Sequence, residues 1–212
     1  MLRFLIPGFL LTVTLLIAFA ELVDEILEKE TLGWDRQAYE LLQQFSGESM
    51  DLIMYSMTFI GSAVSVVVLS VLMILWLVLR KRYLCILLFV VTNLGGVGFN
   101  LLLKQSFQRA RPVIDEQIGA VGYSLPSGHA MGAMIFYGFL GYLLLRSHRN
   151  RWFKVFLSLV FLALIVLIGL SRVYLNAHYF SDVLAGFCAG SVWLGACILA
   201  LEFPRYRRSS KS

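Results

Sequence analysis

Three short polar stretches contain the histidines and cations that could carry out chemistry. They read Lys104-Gln-Ser-Phe-Gln-Arg-Ala-Arg111-Pro112, Pro126-Ser127-Gly128-His129 and Ser171-Arg172-Val-Tyr-Leu-Asn-Ala-His178-Tyr-Phe-Ser-Asp182. Three of the cations, Lys104, Arg111 and Arg172, have no matching set of acids nearby in the sequence. Cations held together repel one another unless they share an anion, and phosphate suits guanidinium groups. The three cations therefore predict a phosphate-binding site.

The second stretch adds backbone donors for an anion. Ser127 can cap the helix that follows it, and Gly128 lets the backbone approach a ligand closely. Free amides at a helix start point towards a bound anion. The alternative is that Pro126 and Ser127 form an ordinary helix start.

The histidines suggest a nucleophile. Asp182 follows His178 by four residues, which is one helical turn, so its carboxylate can hold one imidazole nitrogen. The other nitrogen is then a free nucleophile or proton acceptor, and His129 is a second candidate for proton transfer. The alternative is a structural pair that caps the last helix. We interpret His148, among arginines, as a solvated loop residue and Arg109 as an interfacial cation.

The composition places these stretches in a membrane protein. Of 212 residues, 59% are hydrophobic and 15% charged, and the mean hydropathy is +0.79. This composition excludes soluble, disordered and fibrous classes. Stretches of about 20 apolar residues predict transmembrane helices. The sequence predicts an all-α integral membrane bundle of six helices, at Phe4–Ala20, Met57–Leu79, Tyr83–Leu103, Ala130–Leu145, Phe153–Leu170 and Tyr179–Leu201.

The basic residues predict the orientation. One set of helix ends carries 12 of the 18 lysines and arginines, namely Arg3, Arg80, Lys81, Arg82, Arg146, Arg149, Arg151, Lys154, Arg205, Arg207, Arg208 and Lys211. Basic residues mark the cytoplasmic side. We therefore expect both termini in the cytoplasm and all three polar stretches on the outer side, where Lys29, Arg36 and Arg109 also fall.

The segment Glu21–Asp51 between the first two helices carries nine acids and two bases. Within it, apolar residues recur at helical spacing with polar residues between them (Trp34, Ala38, Leu41, Leu42 and Phe45; Asp35, Arg36, Glu40 and Gln43). This pattern predicts an amphipathic helix on the outer leaflet, or a lid packed on the bundle.

The remaining features indicate one membrane domain over residues 1–212, with a basic cytoplasmic tail at 203–212. The first apolar segment, with Arg3 before it and Ala18-Phe19-Ala20 before Glu21, resembles a cleavable signal peptide, but we expect a retained helix. The small-residue pair Gly186 and Gly190 favours internal helix packing over a dimer contact. All three cysteines lie in apolar runs, which indicates buried inert thiols (Cys85, Cys188 and Cys197).

The three stretches, in this order, resemble the signature of the type 2 phosphatidic acid phosphatase family, which is related to the vanadium haloperoxidases. The pattern is Lys-x6-Arg-Pro, Pro-Ser-Gly-His and Ser-Arg-x5-His-x3-Asp. All eleven defining positions are present, at Lys104, Arg111, Pro112, Pro126, Ser127, Gly128, His129, Ser171, Arg172, His178 and Asp182. The motifs span residues 104–182, and the six-helix layout extends the resemblance over nearly the whole chain.

The resemblance implies a two-step phosphoryl transfer without metal or cofactor. In it, His178 forms a phosphohistidine, Asp182 orients His178, and His129 protonates the leaving oxygen and later helps to activate water. The phosphoryl oxygens would be held by Lys104, Arg111, Ser127, Gly128 and Arg172. The resemblance assigns no metal-binding residues, and we expect the adjacent Asp115 and Glu116 to be solvated. Ser171 would support the turn at Arg172.

The expected function is hydrolysis of a lipid phosphate in the outer leaflet of a plasma or inner membrane, with membrane lipids and no nucleic acid as partners. The alternatives are a transporter or scaffold that binds a lipid phosphate without cleaving it, and a vanadate site like that of the haloperoxidases. The candidate lipids are undecaprenyl diphosphate, phosphatidylglycerophosphate, phosphatidic acid and diacylglycerol diphosphate, with the first two favoured. The substrate and the oligomeric state stay open at this point.

Overall fold

The computed structural model describes residues 2–29, 32–113 and 116–209, and the side chains of 5–29, 32–113 and 116–203. The described residues form eight helices, in agreement with the all-α prediction: α1 (Leu2–Lys29), α2 (Gly33–Gln43), α3 (Glu48–Ile60), α4 (Ala63–Leu79), α5 (Tyr83–Phe107), α6 (Gly128–Leu145), α7 (Arg151–Tyr174) and α8 (Phe180–Ser209).

Five of the described helices are long and apolar enough to cross a membrane, namely α1, α5, α6, α7 and α8. Helices α3 and α4 pass the same test only as a pair, with a bend of 54° between them, and then bring the total to six. Large apolar side chains on the outside of the bundle, such as Leu79 and Leu94, are exposed, which suits contact with lipid.

The second predicted span, Met57–Leu79, is wrong as a single helix. The helix is interrupted at Gly61 and Ser62. Helix α3 ends there, and the Ser62 side chain caps α4 by accepting a hydrogen bond from the Ser65 amide. A Cβ atom on Gly61 would lie 2.4 Å from Cγ2 of Ile168 in α7. Only glycine therefore lets the break approach α7 this closely.

Helix α6 lies at the centre of the bundle and packs against α5, α7 and α8. Its contact with α8 depends on two glycines: a Cβ atom on Gly186 would lie 2.8 Å from the Ser127 carbonyl oxygen, and one on Gly190 2.9 Å from that of Met131. The small-residue spacing therefore serves packing within the chain, as predicted.

The segment between the first two spans is largely helical and packed on the bundle. Helix α1 continues to Lys29, well past the predicted end of the first span at Ala20. Helix α2 coincides with the predicted amphipathic helix and packs against α7 and α8, with the Trp34 ring edge-on to Phe180. The Gln43 side-chain amide donates to the Tyr174 carbonyl oxygen at 2.8 Å, and the Tyr174 hydroxyl donates to the Asp51 carboxylate. These contacts agree with the lid alternative, whereas the membrane side of α2 stays a prediction.

Candidate active site

The three polar stretches meet at one end of the bundle, where α5 and α7 end and α6 and α8 begin. Non-glycine residues in the left-handed conformation, Gln108 (φ 48°) and Asn176 (φ 53°), turn the chain just after α5 and α7. These turns direct the following segments, with Arg111 and His178, back across the helix ends. The predicted site residues therefore lie together, as the alternation of helix directions implies.

His178 lies within reach of Asp182, as the spacing predicted. Its Nδ1 atom is 3.5 Å from Asp182 Oδ2 and 3.3 Å from the hydroxyl oxygen of Ser124. The Ser124 hydroxyl also donates a hydrogen bond to Asp182 Oδ2, and the backbone amide of Tyr179 donates a second at 3.0 Å. The carboxylate and Ser124 together fix the orientation of the imidazole ring.

The other imidazole nitrogen of His178 faces Arg111. Nη1 of Arg111 lies 2.9 Å from Nε2, and because a guanidinium can only donate, Nε2 is the acceptor. The proton of neutral His178 then sits on Nδ1. Burial lowers the pKa of His178 to about 3, so the ring is neutral at pH 7 with a lone pair on Nε2. A neutral, oriented imidazole of this kind can act as a nucleophile.

Arg111 is itself held by the backbone. Its guanidinium donates to the carbonyl oxygens of Val121, Gly122 and Ala177 at 3.0, 2.9 and 2.7 Å. These contacts fix the plane of the guanidinium beside Nε2 of His178. A fixed guanidinium can bind two phosphoryl oxygens without much loss of side-chain entropy.

Arg172 has unused donors inside the protein. The residue is fully buried, and its Nη1 atom donates to the Thr58 hydroxyl of α3. Nε and Nη2 have no hydrogen-bond partner among the described residues. Buried polar groups are nearly always paired, so two unpaired guanidinium donors call for a partner outside the chain. A phosphoryl oxygen has the required charge and geometry.

The remaining predicted phosphate ligands border the same place. Nζ of Lys104 donates to the carbonyl oxygen of Tyr123 and, at 3.4 Å, to that of Ser124. The buried Ser127 hydroxyl accepts from the amide of Ala130 at 3.4 Å and so caps α6, as predicted. A Cβ atom on Gly128 would lie 3.3 Å from Oδ1 of Asn100, so this position is tight for any larger residue.

His129 is half-buried in the first turn of α6, beside the break between α3 and α4. A Cβ atom on Gly61 would come within 3.3 Å of its ring. Neither ring nitrogen has a hydrogen-bond partner among the described residues. The α3–α4 break therefore contributes twice to the site, through Gly61 beside His129 and through Thr58 on Arg172.

The interpretation of Arg109 as an interfacial cation is wrong. Arg109 is buried and pairs with Asp182 at 2.6 Å and with Asp35 at 3.3 Å. Asp35, which the sequence pattern placed among the polar positions of α2, is also buried. Other site residues that the sequence did not indicate are Ser124, Ser181 and Thr58. Arg109 and Ser181 did give a positional signal, because they lie within the polar stretches, two residues before Arg111 and one before Asp182.

In the ranges that the structure describes, no three His, Cys, Asp or Glu side chains gather closely enough to hold a metal ion. Glu116 is exposed, in line with the prediction, and Asp115 lies outside the described residues.

Comparison with known protein families shows which family the chain belongs to. The family model described as the PAP2 superfamily matches residues 83–205, which is more than half of the chain. The chain belongs to the PAP2 superfamily. The matched region contains all eleven signature positions, and the PAP2 assignment confirms the resemblance to the type 2 phosphatidic acid phosphatases.

Curated PAP2 relatives carry phosphatase names. Phosphatidylglycerophosphatase B of Bacillus subtilis (strain 168) is 33% identical over 96 residues, which cover 43% of this chain and 45% of that protein. Human dolichyldiphosphatase 1 is 38% identical over 118 residues, covering 48% of each chain. The chain thus spans about half the length of the curated relatives it matches.

Solved structures share the fold. The crystal structure of a transmembrane PAP2-type phosphatidylglycerolphosphate phosphatase from Bacillus subtilis superposes with a TM-score of 0.80 and 24% identity, covering 88% of this chain and 94% of that one. Aquifex aeolicus LpxE superposes with a TM-score of 0.63 and 18% identity, covering 80% and 98%. The chain therefore has the fold of membrane PAP2 proteins.

Proposed function

We propose that this PAP2 protein is a metal-independent membrane phosphatase that hydrolyses a lipid phosphate or diphosphate through a phosphohistidine at His178. The observation that carries the proposal is that the site presents both a free electron pair and unpaired cationic donors. Neutral His178 presents Nε2 beside Arg111, and Arg172 presents two buried donors without a partner. A tetrahedral phosphoryl group satisfies both, because its oxygens accept hydrogen bonds while its phosphorus accepts the lone pair.

The first step forms a bond between Nε2 of His178 and the terminal phosphorus and breaks the bond from that phosphorus to the leaving oxygen, which departs on the lipid alcohol of a monophosphate or on the lipid monophosphate of a diphosphate. His129 gives a proton to that leaving oxygen. Asp182 stabilises the positive charge that develops on the imidazole ring through its contact with Nδ1. Lys104, Arg111, Arg172, the Ser127 hydroxyl and the Gly128 amide bind the phosphoryl oxygens, whose charge spreads in the transition state.

The second step returns the enzyme to its starting state. Neutral His129 takes a proton from a water molecule, whose oxygen attacks the phosphorus of phosphohistidine. The bond between phosphorus and Nε2 breaks, and inorganic phosphate leaves. Arg111 contacts Nε2 directly in the free enzyme, so this one hydrogen bond passes from Nε2 to a phosphoryl oxygen when substrate binds, while the backbone carbonyls keep the guanidinium in place.

A lipid substrate is supported by a cavity of about 350 Å³ between α4, α5 and α6. Its walls are largely apolar, as at Val67, Leu94 and Ile135, and one end reaches Asn100 and Gly128 at the phosphate site. A lipid can therefore place its phosphate at Gly128 while its tail stays in hydrocarbon. Undecaprenyl diphosphate and phosphatidylglycerophosphate are the favoured substrates; the name of the Bacillus relative supports the second, and the name dolichyldiphosphatase supports a lipid diphosphate in general.

We further propose that the protein lies in the plasma or inner membrane with its site facing away from the cytoplasm. The charge distribution supports this orientation, because the opposite helix ends carry most of the lysines and arginines. The substrate then enters sideways from the outer leaflet.

The test is phosphate release by purified protein in detergent with EDTA, from undecaprenyl diphosphate, phosphatidylglycerophosphate, phosphatidic acid and diacylglycerol diphosphate. Release from at least one lipid at a rate unchanged by EDTA is expected, because the chain's own cations neutralise the phosphate. A strict magnesium requirement would contradict metal independence.

Two variants complete this test. His178→Ala should abolish release, whereas His148→Ala, an exposed histidine at the other end of the bundle, should leave the rate near that of the native chain. Binding of these lipids without release by the native chain would instead favour a transporter or scaffold.

A further inference from the structure

Asp35 is a buried carboxylate on a mostly exposed helix. Its neighbours Arg36 and Glu40 pair with each other on the outer surface of α2, whereas Asp35 is only 2% exposed. A carboxylate is almost never fully buried unless hydrogen bonds and a cation compensate it. The position of Asp35 therefore depends on its partners.

Those partners come from the start of α8 and from the segment after α5. The Ser181 amide donates to Asp35 Oδ1 at 2.7 Å, and the Ser181 hydroxyl donates to Oδ2 at 2.8 Å. The Leu32 amide and Nη2 of Arg109 each lie 3.3 Å from Oδ2. Asp35 thus binds the residue directly before Asp182 and the cation that pairs with Asp182.

Arg109 connects the two carboxylates. Its Nη1 atom donates to Asp182 Oδ1 at 2.6 Å and to the Ser181 hydroxyl oxygen at 2.9 Å, while Nη2 contacts Asp35. The guanidinium also lies over the Tyr179 ring, 4.1 Å from its centroid. Held on three sides, Arg109 can occupy little space other than the one between Asp35 and Asp182.

This geometry fixes the direction of the Asp182 carboxylate. Arg109 binds Oδ1, which leaves Oδ2 for Ser124, the Tyr179 amide and Nδ1 of His178. A rotation of the carboxylate would break the Arg109 contact and the His178 contact together. The orientation of the His178 ring is therefore linked, through Asp182 and Arg109, to Asp35 on α2.

We propose that Asp35 and Arg109 are positioning residues that act on His178 through Asp182. We call Asp35, Arg109, Ser181 and Asp182 the Asp35 clasp. The inference rests on the proposed phosphatase function, and it makes catalysis depend on α2, which precedes the region matched by the family model. Loss of the Asp35 carboxylate removes the acceptor of the Ser181 amide and hydroxyl and one of the acceptors of Arg109. Arg109 then keeps its contact with Asp182 but is no longer held from the side of α2, so the guanidinium and the Asp182 carboxylate gain freedom.

The test compares Asp35→Asn with two matched changes in the same outer segment. Asp51→Asn removes the carboxylate that holds the Tyr174 hydroxyl, and Glu40→Gln removes an exposed carboxylate from α2 itself. We expect Asp35→Asn to lower kcat by about tenfold or more with KM within about twofold, because misorientation affects the transition state more than binding. Both controls should stay within about twofold of native kcat.

A second readout separates positioning from mere structural support. In a double-mutant cycle on kcat with Arg109→Gln, the two changes should be strongly non-additive, since both act through one carboxylate. Asp35→Glu should restore part of kcat, because it restores the charge next to Arg109. Thermal unfolding in detergent, measured on all variants, shows whether each is folded under the assay conditions.

The outcomes distinguish the inference from the proposed function. Native protein that releases no phosphate from any lipid overturns the proposed function. Active native protein together with an Asp35→Asn variant of normal kcat overturns the clasp and leaves the phosphatase assignment standing. A loss of kcat equal to that of Asp51→Asn, or additive effects in the cycle, also overturns the clasp, because either result indicates general support by the segment.

Discussion

Arg111 donates a hydrogen bond of 2.9 Å to Nε2 of His178, the atom that we propose attacks phosphorus. The contact brings the proposed phosphate ligand and the proposed nucleophile together before substrate arrives. It also selects the imidazole tautomer with its proton on Nδ1, next to Asp182. Substrate binding then exchanges one acceptor of Arg111, the imidazole nitrogen, for a phosphoryl oxygen.

The shape of Arg111 should matter as much as its charge. Arg111→Lys keeps the cation but loses the planar group that donates to three carbonyl oxygens and to His178. We expect kcat/KM for lipid phosphate to fall by about ten- to a hundredfold. Arg149→Lys, in the loop at the opposite end of α6, is the matched control and should be nearly silent. Equal effects of the two changes would contradict the role given to Arg111.

The two histidines should separate the two steps. His129→Ala lacks the proton donor but keeps His178, so an ester with a good leaving group, such as p-nitrophenyl phosphate, should still phosphorylate the enzyme. Hydrolysis of the phosphohistidine is also slowed, because His129 no longer takes the proton of the attacking water. Acid-labile phosphoenzyme should therefore accumulate, and mass spectrometry should locate it at residue 178. His178→Ala should form none. Phosphate found on another residue would exclude the mechanism.

Thr58 should contribute to phosphate binding although it lies outside the signature. Its hydroxyl accepts from Nη1 of the buried Arg172, so Thr58→Val removes one partner of a charged donor with little change in volume. Affinity for vanadate, which mimics phosphate, should fall by roughly tenfold because Arg172 loses its orientation. Thr12→Val in α1 is the control. Unchanged vanadate competition would show that Arg172 is fixed without Thr58.

The buried neutral His178 should make the protein less stable in acid. Burial lowers its pKa to about 3, whereas the unfolded chain takes up a proton there near the ordinary value of 6.5. The unfolded state thus binds more protons, and stability falls as the pH drops below 6.5, by up to about 1.4 kcal/mol per pH unit from this group.

Thermal unfolding in detergent at pH 7.5 and pH 5.0 measures this effect. The nearby charged groups are Asp182, Arg111 and Lys104, and they are present in both proteins compared. His178→Asn, which keeps a donor near Asp182 but does not titrate, should lose less in Tm between the two pH values than the native chain. Equal losses would mean that other groups control the acid response.

Labelling in intact cells should place the site on the outer side. With Cys85, Cys188 and Cys197 replaced, a single cysteine at the exposed position of Gln117 should react with a membrane-impermeant maleimide. One at Ser147, in the α6–α7 loop, should react only after permeabilisation. The reverse pattern would put the active site in the cytoplasm.

The sequence by itself determined the membrane class, five of the spans and which motif residues would lie together. Apolar runs and motif residues are local features of the sequence. Because chain direction alternates from one membrane-spanning helix to the next, the sequence also shows which helix ends lie on the same side. Lys104, Arg111, His129 and His178 meet for this reason, and no tertiary information was needed to expect it.

Only the tertiary structure decided the break at Gly61, the burial of Asp35 and Arg109, and the contacts of Ser124. Gly61 is required by Ile168 of α7, a contact that no local pattern contains. Asp35 and Ser181 are 146 residues apart in the chain. An acid on an amphipathic helix has the same sequence pattern whether it faces water or a buried arginine. The buried Asp35 is stable only because Arg109 supplies a positive charge and Ser181 supplies hydrogen-bond donors beside it. The positions of these two residues depend on how α2, α5 and α8 pack.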